Sequence, residues 1–177
     1  MVELERIEYR PISVRDLLIE MKNLSELMID LAYSAALFNS RELAEEVLSL
    51  ERYIDLLTYH LSMNMMVAAR DVEDAEALLG VSKVSSSADK ISDAAADIAT
   101  IVLRGIEIHP IVREAFERVE EHLALVKVTK GFPFAEKKLA SLEMGVDVIA
   151  IRKGRRWIIN PDEEERIGVG DVLIRSE

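Results

Sequence analysis

The chain has 177 residues, half of them hydrophobic, enough for one large or two small domains with a sizeable core. It has no cysteine, which excludes disulfides and thiolate metal sites and fits a reducing cytoplasm. The net charge of −11 opposes binding to nucleic acid and to anionic lipid.

The start, MVELERIEYR, is charged and lacks the apolar core of a signal peptide. No apolar run anywhere reaches the roughly 20 residues needed to cross a bilayer. A membrane role is therefore expected to run through a partner, without direct insertion.

From residue 13 onward, apolar residues recur at alternating spacings of three and four. The first set is Leu17, Met21, Leu24, Met28, Leu31 and Ala35. The second is Leu43, Val47, Leu50, Ile54, Leu57 and Leu61. The third is Val81, Val84, Ala88, Ile91, Ala95, Ile98 and Val102. This period predicts three helices packed side by side at a shallow angle.

Cap residues support the boundaries. Ser13 with Asp16, Asn39 with Glu42, and Asp71 with Asp74 are expected to start the three helices. Gly80 interrupts the third pattern and leaves its start open, and Gly105 suits its end. Pro110 suits the first turn of a short fourth helix running toward His122. Short links at 38–40 and 70–72 predict antiparallel neighbours. The third helix is rich in alanine and serine, which serves either helix propensity or close packing.

Carboxylates recur four apart: Glu26 and Asp30, Glu51 and Asp55, then Asp89, Asp93 and Asp97. Residues at that spacing share a helix face and repel one another mildly. In the heptad register these acids face outward. Either solvent satisfies them or a hard cation does, since Mg²⁺, Ca²⁺ and iron all accept oxygen ligands. His60, His109 and His122 are scattered, and His60 is expected on a helix surface. Met63, Met65 and Met66 either fill the core or form an adaptable contact surface. No phosphate loop, nucleophile elbow or paired-histidine motif is present. The chain is therefore not read as an enzyme.

Residues 15–105 resemble one repeat of the PhoU family, helical-bundle regulators of phosphate transport. The likeness rests on 41–47 (RELAEEV), on Glu51 and Asp55, and on 89–99 (DKISDAAADIA). It implies a divalent or iron metal site at Asp89 and Asp93, with Asp97, Glu26 and Asp30 beside them. Asp89 stands where the family more often has Glu. Full members carry two repeats, an arrangement that a homodimer of this chain would restore.

The charge balance changes near residue 122. Residues 1–122 hold 24 acids and 12 bases, whereas residues 123–177 hold 9 and 10. The pattern changes at the same place, which divides the chain into a helical bundle, 1–122, and a small C-terminal module, 123–177. The expected order there is a strand at 125–128, a Gly-Pro loop and a helix at 135–142. A hairpin about Lys153-Gly154, an acidic loop and a final strand at 171–174 follow. The whole is α+β. A module of this size is marginal alone and is expected to dimerise or dock onto the bundle. Trp157 serves as a core anchor or an interface residue.

The run 148–161 (VIAIRKGRRWIINP), with 169–174 (VGDVLI), resembles the TrkA-C or RCK-C family, regulatory modules of potassium channels and transporters. Members usually continue past the last strand. The likeness implies a dimer that takes a small ligand, cyclic di-AMP in some members. Arg152, Arg155, Arg156 and Asn160 are candidates to hold an anionic ligand. Together the two resemblances imply a cytoplasmic regulatory subunit, peripheral to the inner membrane, of a membrane cation channel or transporter. Potassium is the expected ion and a homodimer the expected assembly. The alternative is a regulator of phosphate transport that binds metal.

Overall fold

A computed structural model describes residues 7–116, 123–142, 147–154 and 156–176. Three long helices come first: α1 (Val14–Leu37), α2 (Arg41–Ala68) and α3 (Val72–Leu103). All three pairs pack against each other, which closes a three-helix bundle. The first two predicted stripes are buried in full. Each such Leu, Ile or Met contributes about 1.5–3 kcal/mol by leaving water. No described helix is long and apolar enough to cross a membrane.

The caps follow the sequence with one exception. The Ser13 hydroxyl accepts from Asp16 N–H, and the Asp71 carboxylate accepts from Asp74 N–H at 2.9 Å. At α2 the cap is Ser40, which accepts from Leu43 N–H at 3.3 Å, and not Asn39. Asn39 instead takes a left-handed turn, φ 50°, that lets the chain reverse. α3 runs through Gly80 without a break. Gly105, φ 65°, ends it, with Ile106 N–H donating back to the Ile101 carbonyl.

The third stripe is rotated relative to expectation. α3 buries Ser85, Ala88, Ser92, Ala95, Ala99 and Val102. Val84 and Ile91 are exposed. The small residues are thus the packing face, and they bring α3 close against α1 and α2. Small side chains on a packing face let helix backbones approach closely and make many short contacts.

After α3 a short helix, α4 (Pro110–Phe116), packs on α1. The expected extension of that helix to His122 lies outside the described residues. Four strands then form one antiparallel sheet: β1 (Leu123–Lys127), β2 (Val148–Lys153), β3 (Arg156–Ile159) and β4 (Val172–Ser176). Their spatial order is β1-β4-β2-β3.

The predicted helix at 135–142 does not form. Only a single 3-10 turn, Leu139–Ser141, is present. Glu136 sits at φ 64°, and its N–H donates to the Ile167 carbonyl. Leu139 and Ala140 N–H groups donate to the carbonyls of Glu165 and Glu163. Three of the segment's backbone donors are thus taken by residues 163–167, and the others that bond reach back only three residues, so no α-helical ladder forms. Gly154, φ 60°, turns the β2–β3 hairpin as expected.

The sheet docks on the bundle. Leu123, Ala150, Trp157, Val172 and Ile174 belong to the same buried cluster as the helices. Trp157 is therefore a core anchor. A second, smaller cluster on the other face of the sheet gathers Val128, Leu139, Ile151, Ile167 and Leu173.

Candidate functional site

Two arrangements hold the residues singled out by the sequence. The first lies between α2 and α3. Thr58 on α2 donates to Asp89 on α3 at 3.2 Å. Asp89 and Asp93 both act on Asp55 and Glu51 of α2, which places four carboxylates along one interhelical seam. Burial pushes the Glu51 carboxyl up, and Asp55 pushes it further; Arg52 offsets part of this. Burial, then Asp89 and Asp93, raise Asp55 in the same direction. Both carboxyls are thus raised by burial and by like charge, and among the described residues only Glu51 has a nearby cation, Arg52, that opposes the shift.

The other predicted members stand apart. Asp97 is exposed further along α3. Glu26 is paired with Lys22 at 2.6 Å and lines a groove between α1 and α3, beside Ser87, Ala88 and Ile91. Asp30 is half-buried on α1. The carboxylates that Asp89 and Asp93 meet are thus Glu51 and Asp55, on α2 and not on α1. The sequence carries no sure signal for this: counting equally outward from residue 70 sets Glu51 opposite Asp89, whereas it is Thr58, seven residues further along α2, that meets Asp89.

Does this seam suit a metal ion? Among the described residues no three carboxylate or imidazole groups converge as a metal-ligand set. A hard cation takes six or more oxygens at about 2.0–2.6 Å. The seam as it stands is a diffuse acidic surface and not a closed coordination sphere.

His60 is buried, contrary to a surface position. Asn64, one turn on, explains it. The Asn64 amide donates to the Arg10 and His60 carbonyls and accepts from Ile12 N–H at 3.2 Å. This straps the chain before α1 across the end of α2 and covers the imidazole. Burial, then the nearby Arg10 cation, lower the His60 pKa.

The second arrangement is the seam between sheet and bundle. Arg152 on β2 donates to the Glu46 carboxylate on α2 at 2.7 Å and to the Gly154 carbonyl at 3.1 Å. Glu46 is buried. The pair is single-toothed: Glu46 Oε2 and Arg152 Nε have no hydrogen-bond partner. One turn earlier on α2, Glu42 pairs with Lys127 of β1 at 3.2 Å. Two acids at helical spacing thus reach two strands on either side of β4. Ser34 of α1 adds a third tie, accepting from Leu123 N–H at 2.9 Å.

The candidate anion ligands are separated by this. In the hairpin, Arg152 pairs with Trp157 and Lys153 with Arg156. Paired residues share a face and neighbours alternate. Arg152 therefore lies on the bundle side with Trp157, and Arg156 on the opposite face. Asn160 is exposed at the end of β3 with φ 48°. Arg155 lies outside the described residues. Glu46 was missed in the sequence because a single acid on an acidic helix carries no mark of burial.

The family model of the PhoU domain matches residues 18–102. That span runs from the first turn of α1 to the last turn of α3, and the sheet lies outside it. No curated protein matches the chain.

Proposed function

We propose that the protein is a regulatory subunit of a membrane transport system, with the bundle as the arm that reports to the transporter. The observation that carries this reading is the joined construction: a PhoU-like bundle whose core is continuous with a second, differently built module. A ligand bound by the sheet and preferring one placement of the two parts would shift the bundle, which is what a sensor requires. Arg156 and Asn160, both exposed, are the candidates left for an anionic ligand such as a cyclic dinucleotide, since Arg152 is held by Glu46 on the other face. The likeness of 148–161 and 169–174 to potassium-transport modules supports a cation, potassium first, as the regulated ion.

The PhoU match favours a second reading, control of phosphate uptake. In that reading Glu51, Asp55, Asp89 and Asp93 would have to draw together to hold a cation. One experiment separates the two. Uptake of rubidium, as a potassium tracer, and of phosphate is measured in native cells with and without the gene. A change in rubidium uptake alone supports the first reading, and a change in phosphate uptake alone the second. No change in either would overturn the transport assignment.

A further inference from the structure

The hairpin joining α2 to α3 extends past the packed core. α2 buries nothing after Asn64, and α3 buries nothing before Ser85. Ser85 contacts Met21 at 3.7 Å, and α1 and α3 run parallel. Equal counting from that contact brings Val14, the start of α1, level with Leu78. The first turns of α3 thus project roughly 9 Å beyond α1.

This projecting tip is apolar. Met66 is 78% exposed, Val72 74%, Leu79 68% and Val67 67%. These are four of the five most exposed large apolar side chains among the described residues. Ala68, Ala75 and Ala77 beside them are also exposed. Single exposed apolar residues are ordinary, but a contiguous group marks a surface that is covered in use.

The tip is also built to hold its shape. Asp71 caps α3, and Arg70 pairs with Asp74 at 2.8 Å. That pairing occupies the one cation of the turn. Glu73 and Glu76 remain exposed, with Asp71, as an acidic rim. An apolar knob with an acidic rim disfavours anionic lipid and nucleic acid. It suits a basic surface with an apolar centre, and the loops and helix ends of membrane proteins on the cytoplasmic side carry an excess of Lys and Arg.

We propose that the α2–α3 tip, centred on Met66, Val67, Val72 and Leu79, docks onto a Lys/Arg-rimmed apolar surface of an integral membrane protein. This rests on the reading of the chain as a subunit of a transport system, and it names the surface through which that subunit engages.

The test uses the full chain and a labelled 14-residue amphipathic helical peptide of Leu and Lys, with a Leu/Glu peptide of the same spacing as control. Fluorescence anisotropy should show binding of the Lys peptide that weakens as salt rises. Met66→Ser with Leu79→Ser should weaken it about tenfold, a loss of ~1.4 kcal/mol, with circular dichroism unchanged. Glu73→Gln with Glu76→Gln should weaken it too. Asp89→Asn with Asp93→Asn should not. Equal binding by the tip variant, or binding of the Glu peptide, would overturn the proposal. So would a dimer in sedimentation that the tip variant dissolves, which would name a second copy as occupant. Co-sedimentation with phosphatidylcholine vesicles that the tip variant abolishes would name lipid. Unaltered uptake on gene loss, with peptide binding intact, would sink the transport reading and leave the docking surface standing.

Discussion

The Arg152 guanidinium reaches from β2 into the side of α2 and meets the buried Glu46 carboxylate at 2.7 Å. It is the most buried of the ion pairs among the described residues. Because the pair is single-toothed, it tethers the sheet without the full strength of a bidentate contact.

Removing one partner leaves the other charge buried and unpaired. Glu46→Ala is expected to cost about 3 kcal/mol, the lower end of the range for buried pairs, since Arg152 keeps some access to water. Glu46→Leu with Arg152→Leu should recover most of that loss. Urea unfolding of Glu46→Leu, Arg152→Leu and the double variant closes the cycle. The fluorescence of Trp157, the only tryptophan, follows the undocking of the sheet. If the double variant is as unstable as the worse single one, the pair is not the tether.

Ala94 and Ala95 are adjacent on α3, the first exposed and the second buried. Ala95→Leu is expected to cost about 1–3 kcal/mol by forcing the helices apart. Ala94→Leu should change stability by less than about 0.5 kcal/mol. Thermal unfolding of both decides between close packing and mere helix propensity as the role of the small residues.

Glu51 and Asp55 have raised pKa values in the folded chain. Below their unfolded values both are protonated in either state, and the repulsion is absent. It grows as pH rises through the window up to the folded values, so these groups lower stability above it. Asp55→Asn should therefore stabilise the chain at pH 7 by a few tenths of a kcal/mol. It should have no effect once pH falls below the carboxylate range. A pH series of melting temperatures on wild type and variant is the measurement. Greater stability of the wild type at pH 7 would point to a compensating cation at this seam.

His60 has the opposite sign of linkage. Its folded pKa is lowered, so the unfolded chain binds the proton first. Stability is full above the unfolded value, about 6.5, and is lost as pH falls below it toward the folded value. His60→Leu should flatten the melting-temperature profile between about pH 5 and 7. A profile unchanged by the substitution would mean that the imidazole accepts its proton in the folded state without cost.

Much of the architecture is legible in the residues alone. The stripes of α1 and α2, the Ser13 and Asp71 caps, the Gly105 stop and the hairpin at Gly154 are local, and local periodicity or a single backbone requirement determines them. What needed the tertiary structure is what depends on a neighbour. Glu46 and His60 are polar residues on amphipathic helices, and only the chain folded over them makes them buried. Val84, Ile91 and Met66 have core composition, yet α3 turns its small residues inward and the α2–α3 hairpin that carries Met66 runs past the packed core. The 135–142 segment has the apolar spacing of a helix. It does not take that form because residues 163–167 take up three of its backbone donors, those of Glu136, Leu139 and Ala140. Asp89 and Asp93 were visible as a pair, but which carboxylates face them is set by helix register across the α2–α3 turn. Periodicity fixes which residues share a face of one element; which face meets which partner is a long-range contact, and only the assembled chain decides it.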